Sequence, residues 1–202
     1  MSFVIEKLQA AAKQKMIETE VWQVGCPVSL DDLVSLKVLH YNFSGEVKTG
    51  ELIIHQKIAQ NALKIFLLLK QIRFPIEQIT PIENFAGDDE LSMKHNNSSC
   101  FNYRTIANSD LISLHSYGLA IDLNPLQNPV ITFENNIAVI SPILGKDYLD
   151  RSYQRAGMVE QIVVDIFADN GLTIWGGNWK KPIDYHHFQI ERSEIESFIS
   201  TK

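Results

Sequence analysis

The strongest constraint on this chain is a pair of segments, far apart in sequence, whose polar residues are explained only if they meet. The first is Ser113-Leu114-His115-Ser116-Tyr117-Gly118-Leu119-Ala120-Ile121-Asp122, and the second is Asp184-Tyr185-His186-His187-Phe188. In the first, an imidazole and a carboxylate flank a glycine. In the second, an imidazole follows a carboxylate closely. Two His and one Asp are enough to hold a zinc ion with one coordination position open, which leaves Asp184 as a base. Any fold for this chain has to carry these two segments to one point.

The 202 residues are most simply one domain over 1–202, with an N-terminal elaboration at 1–83 and a metal-site core at 84–192. With 45% apolar and 21% charged residues, the chain has the profile of a globular protein with a real core. A net charge of -6 argues against a general nucleic-acid binder, which needs a basic patch. Cys26 and Cys100 lie far apart without a CxxC partner, so neither belongs to a cysteine metal site; they read as two small buried hydrophobes, with a disulfide between them as the alternative. The segment from Met1 to Met16 is interrupted by Glu6, Lys7, Lys13 and Lys15, so no signal-peptide core is visible. No run reaches the length of a membrane span.

Hydrophobic periodicity supplies the elements. Phe3, Leu8, Ala11 and Ala12 suggest a short amphipathic helix, and an irregular stretch around Trp22 and Gly25-Cys26-Pro27 follows it. Val34–Phe43 and Val47–His55 read as a hairpin about Ser44-Gly45. Lys57 to Arg73 carries an apolar stripe of Ile58, Ala62, Ile65, Phe66, Leu69 and Ile72 and is ended by Phe74-Pro75. Ile76 to Ile82 and Ser98 to Ile106 read as strands, the second bearing Arg104, with a helical turn at Asp88 to Lys94 between them. Tyr117 to Leu123 is a strand, Asn124-Pro125 and Asn128-Pro129 force a loop, and Ile137 to Ile140 is one more short strand. Gln154 to Asp169 is a second helix, Thr173–Trp175 and His186–Ile190 are strands, and Ser193-Glu194-Ile195-Glu196 is a capping box for a terminal helix. Helices and strands are mixed rather than alternating, which makes the class α+β.

On a strand through Leu119–Leu123, Asp122 alternates with Leu119, Ile121 and Leu123, so a stiff apolar edge holds the carboxylate. Gly118 lets the chain bend so that His115 returns toward Asp122. Asp184 and His187 would face opposite sides of a regular strand, which puts Asp184 in the loop before it. The proposed metal ligands are His115, Asp122 and His187, with Asp184 as base and Arg104 as the charge beside the oxyanion. Arg104 has a plainer alternative as the partner of Asp110 or another carboxylate. His40, His55 and His95 read as structural histidines, and strand alternation turns His186 away from the site.

These segments resemble the zinc D-Ala-D-Ala carboxypeptidases and L-alanyl-D-glutamate peptidases. The pattern SxHxxGxAxD is filled by Ser113, His115, Gly118, Ala120 and Asp122, and D/E-x-x-H by Asp184 and His187. Phe101-Asn102-Tyr103-Arg104 and Trp175-Gly176-Gly177-Asn178-Trp179 are similar to its VanY-like branch, as are Trp22, Cys26-Pro27 and Phe74-Pro75-Ile76. The resemblance implies a Hedgehog/DD-peptidase-like fold, with a central, mostly antiparallel sheet, flanking helices and zinc on His115, Asp122 and His187. It also implies Asp184 as general base, Arg104 stabilising the transition state, and Ser113 contacting substrate. The substrate class it implies is peptidoglycan stem peptides or muropeptides, which favours a periplasmic or secreted location. Asp in place of Glu as the base is shared with endolysin endopeptidases, yet carboxypeptidase and endopeptidase both remain open. A zinc-stabilised binding module of the same fold is the non-enzymatic alternative.

Overall fold

The computed structural model describes residues 3–107 and 109–199. Met1 and Ser2, at the head of the segment read for a leader, lie outside the described residues. The chain opens with β1 (Val4–Lys7), α1 (Ala10–Glu18), β2 (Leu33–Tyr41), β3 (Val47–His55) and α2 (Ala59–Gln71). Shorter elements follow: β4 (Gln78–Ile79), α3 (Asp89–Lys94), β5 (Asn97–Ser98), β6 (Ala120–Asp122), β7 (Val130–Glu134) and β8 (Ile137–Ser141). The last are α4 (Gln161–Asp169), β9 (Ile174–Trp175), β10 (Ile183–Asp184), β11 (His187–Gln189) and α5 (Ile195–Phe198). No helix among the described residues is long and apolar enough to cross a membrane.

The class is α+β, but the strands form several small sheets in place of one central sheet. Their orders are β1-β2-β3, β10-β7-β8 and β6-β11-β9, all antiparallel, with β4 and β5 pairing in parallel. Proline explains much of the division, because each one removes a ladder donor. Pro75, Pro81, Pro125, Pro129, Pro142 and Pro182 punctuate the chain after β3, where the longest strands have 5 residues.

One apolar cluster runs from Val34 to Ile190 and includes Leu36, Ile54, Phe66, Leu119, Phe167 and Phe188. The hairpin β2–β3 and helix α2 form as the periodicity predicts, and α2 buries Ala62, Ile65, Phe66 and Leu69. From α4, Phe167 stacks on Phe188 with ring centroids 3.8 Å apart, so core packing reaches the back of β11.

Several expectations are corrected. Val4–Lys7 is a strand rather than the start of a helix, because β-branched Val4 and Ile5 pair with the free edge of β2. The predicted strands Ile76–Ile82 and Ser98–Ile106 shrink to β4 and β5; residues 99–106 carry isolated bridges, Ser99 to Asp122 and Thr105 to Ile112. Helix α4 starts at Gln161, after a left-handed Gly157 at φ +80. The capping box at Ser193 does not form: a 3₁₀ turn over Arg192–Glu194 leads into α5, whose cap position is Glu194 without a side-chain bond. Strand β7, absent from the sequence reading, pairs with β8 about Asn135 and Asn136. Both have positive φ (49 and 65), the backbone that a two-residue hairpin turn requires.

The loop after β6 is pinned from inside. Fully buried Asn128 accepts at Oδ1 from the Val159 N–H (2.7 Å), and its Nδ2 lies 2.9 Å from Gly157 O and 3.1 Å from Leu123 O. Asn124 Nδ2 donates to Pro75 O at 2.8 Å. These amides satisfy backbone groups that no sheet reaches. Asn128→Ala is therefore expected to cost roughly 2–4 kcal/mol by stranding several buried groups at once. Urea unfolding would measure it, and a loss within the noise would show that the hub is dispensable.

Candidate metal centre

The site begins with a strand register. Strands β6 and β11 pair antiparallel so that Asp122 faces His187 and Ile121 faces Phe188. Side chains alternate, so Asp122 and His187 project together on one side while Ile121 and Phe188 enter the core on the other. His115 comes from the 3₁₀ turn Leu114–Tyr117, where Ser113 Oγ accepts from the His115 N–H at 3.3 Å. Gly118 ends that turn at φ +67, and a Cβ there would lie 2.7 Å from the backbone nitrogen of His55. Its role is this close packing against the end of β3, rather than an approach to a metal. One ligand atom from each of His115, Asp122 and His187 falls within 4.8 Å of the others, and all three residues are buried.

The neighbours decide which nitrogen each ring presents. His115 Nδ1–H donates to Cys100 O at 2.5 Å, which turns Nε2 toward the centre. His187 Nε2–H donates to Gln189 Oε1 at 2.9 Å, so Nδ1 points inward. Gln189 shares the face of His187, two positions along the strand. Trp179 lies against the His187 ring with centroids 5.3 Å apart. Fixing the outer nitrogen by a hydrogen bond is how a metal-ligand histidine is held in tautomer and orientation.

Inside the cluster, His187 Nδ1 is 3.0 Å from Asp122 Oδ1 and 3.1 Å from His115 Nε2, and His115 Nε2 is 3.2 Å from Asp122 Oδ2. Burial pushes the Asp122 carboxyl up, but the charges of His115 and His186 and the hydrogen bonds from His115 and His187 outweigh it and hold Asp122 well below its ordinary value. Burial pulls His187 down, and the bond and charge of Asp122 more than reverse this, leaving His187 above 6.5. A proton on His187 Nδ1 thus occupies the lone pair that a metal needs. The donor set of two imidazoles and a carboxylate fits zinc, with three protein ligands and room for one more.

Asp184 is not in a loop: it lies on β10, opposite Val130 of β7. The glycines of the Trp175–Trp179 segment explain its placement. A Cβ on Gly176 would come within 2.6 Å of Asp184 O, so only glycine lets that segment close against β10. Trp175 Nε1 donates to Tyr185 O at 2.9 Å and braces the bend between β10 and β11.

His186, set aside on alternation, belongs to this site. Strand β11 starts only at His187, and His186 sits in the preceding bend, where Nδ1–H donates to Asn128 O at 2.8 Å. Its Nε2 lies 3.1 Å from Asp184 Oδ1 and 3.9 Å from Asp122 Oδ2, between the two carboxylates. The contact to Asp184 is off the line of a hydrogen bond, and Asp184 Oδ1 is buried without a hydrogen-bond partner.

Arg104 pairs with Asp89 at 3.0 Å, rather than with Asp110, and keeps a buried Nε free of hydrogen bonds. His40 is structural, with Nδ1 2.9 Å from Ile76 O, and His95 is exposed after α3. His55 is buried against Phe198, away from the cluster. Both cysteines are free thiols, and burial pushes Cys26 up to about 11.

A cavity of about 290 Å³ opens over the cluster, and its lining includes Arg104, Ser113, Asp184, His186 and Arg192 besides His115, Asp122 and His187. Residues 107–190 match the family model described as D-alanyl-D-alanine carboxypeptidase. This part of the chain is similar to the D-alanyl-D-alanine carboxypeptidase family. That span holds Ser113, His115, Asp122, Asp184 and His187; Arg104 and the N-terminal half lie outside it. A search of curated proteins and a search of solved structures each found no match.

A metal ion at this cluster would compete with a proton for His187 Nδ1, so binding of added zinc should release protons as the pH falls. Affinity should fall as the pH drops through the raised His187 pKa, by roughly tenfold per unit below it. Calorimetry in two buffers of different ionisation enthalpy would measure both; an affinity flat between pH 8 and 5.5 would remove His187 from the ligand set.

Proposed function

We propose that the chain is a zinc-dependent peptidase that hydrolyses peptidoglycan stem peptides containing D-residues, within a Hedgehog/DD-peptidase-like fold. The bond would be the terminal D-Ala-D-Ala link or the L-Ala-D-Glu link. One observation carries this reading: a carboxylate oxygen free of hydrogen bonds, Asp184 Oδ1, shares a cavity with three convergent metal-ligand atoms.

His115 Nε2, Asp122 and His187 Nδ1 would hold the ion. Zinc bound there supplies Lewis-acid polarisation of the scissile carbonyl and of the attacking water. Asp184 takes a proton from that water and delivers it to the leaving amine, which the short path between one carboxylate and both groups allows. His186 Nε2 lies 3.1 Å from the Asp184 carboxylate, and the tether of its Nδ1–H to Asn128 O keeps the ring from swinging into the cavity. Arg104, restrained by Asp89, offers Nε–H to the oxygen on which negative charge develops. Ser113 Oγ accepts from the turn it caps, so its own proton is available to a substrate carbonyl.

Loss of the base should separate chemistry from metal binding. Asp184→Ala should retain one zinc per chain and lose at least ~100-fold in kcat. The assay is mass spectrometry of L-Ala-γ-D-Glu-meso-diaminopimelate-D-Ala-D-Ala incubated with each protein. Loss of one D-Ala marks a carboxypeptidase and loss of L-Ala an endopeptidase. Absence of cleavage by the zinc-loaded parent protein would replace this reading with a non-catalytic binding module.

A further inference from the structure

The cavity holds a cation that neither the metal cluster nor Arg104 accounts for. Arg192 follows β11 in the 3₁₀ turn Arg192–Glu194 and lines the cavity beside Gln189 and His187. Its Nη2 donates to Ile112 O at 3.0 Å. Ile112 pairs with Thr105, and the next residue, Ser113, donates its N–H to Arg104 O at 3.1 Å. The tether therefore fixes Arg192 to the same strip of backbone that carries Arg104.

The two guanidinium groups differ in charge balance. Arg104 is compensated by Asp89. Among the described residues, Arg192 has no ion-pair partner; its recorded bond is to a neutral carbonyl. The remaining cavity carboxylates, Asp122 and Asp184, match the two positive charges of a divalent ion. Arg192 is left as one net positive charge, half-buried, where an anionic ligand group gains most from a guanidinium.

We propose that Arg192 is a specificity residue that binds the free α-carboxylate of the D-residue on the leaving side of the scissile bond. This rests on the peptidase reading and narrows its substrate. The two candidate bonds share this chemistry. In D-Ala-D-Ala the leaving residue carries the terminal carboxylate. In L-Ala-γ-D-Glu the γ-linkage leaves the α-carboxylate of D-Glu free. A substrate with that carboxylate masked loses the charge-assisted bond and leaves Arg192 uncompensated.

The test pairs Arg192→Gln with masked peptides. Each peptide is used as the free acid and as the α-amide: one ends in D-Ala-D-Ala, the other contains L-Ala-γ-D-Glu. Arg192→Gln should raise KM about 10- to 100-fold on the acid that is a substrate, with kcat changed less than about threefold. On the matching amide the parent protein should already show the high KM, and the substitution should add little. The peptide showing this coupling names the source of the carboxylate. The same comparison by calorimetry, in an Asp184→Ala background with zinc content verified, needs no turnover. Arg192-dependent binding of an acid there upholds the carboxylate subsite even if the parent protein cleaves neither peptide, an outcome that would defeat only the peptidase reading. Equal losses on acid and amide, a loss confined to kcat, or no binding of either acid would overturn the assignment.

Discussion

The antiparallel register of β6 against β11 is the constraint on which the rest of the site depends. Asp122 and His187 stand opposite each other because Ile121 and Phe188 do so on the reverse face. A slip of one residue would send the two polar side chains into the core and an aromatic ring into the cavity. Phe188 is locked between Phe167 and Trp175, at 3.8 and 6.4 Å between centroids, so apolar packing behind the strands enforces polar geometry in front of them.

From that pair the organisation spreads outward through backbone carbonyls. Cys100 O orients His115, Asn128 O orients His186, and Tyr185 O anchors Trp175. Asn128 belongs to the structural hub and to the site at once: its side chain closes the loop after β6 while its carbonyl holds His186. The fold and the chemistry are joined at single residues rather than stacked as separate layers.

Much of this was legible in the sequence, for identifiable reasons. The alternation of Leu119, Ile121 and Leu123 around Asp122 marked a stiff, one-sided carboxylate, and α2 and the first hairpin followed from strong periodicity. His186 was missed because alternation was extended back past the point where β11 starts, and only the bend held by Asn128 reveals its direction. The strand that carries Asp184 was hidden because β10 has two residues and exists only by pairing with β7. The hairpin signal of Asn135-Asn136 between Val130–Phe133 and Ile137–Ile140 was present and could have been read. The partnership of Arg104 with Asp89 joins an extended segment to a helix, and nothing in local patterning announces it.

The three convergent ligand residues and Asp184 do not share a sheet. Asp122 and His187 belong to β6-β11-β9, whereas Asp184 lies on β10, which pairs with β7 of the β7–β8 hairpin. Changes in the β7–β8 hairpin can shift or silence the carboxylate while leaving the ion cluster and the main core intact. On the proposed peptidase reading, altering this one hairpin would exchange turnover for recognition without disturbing the residues that would hold the ion.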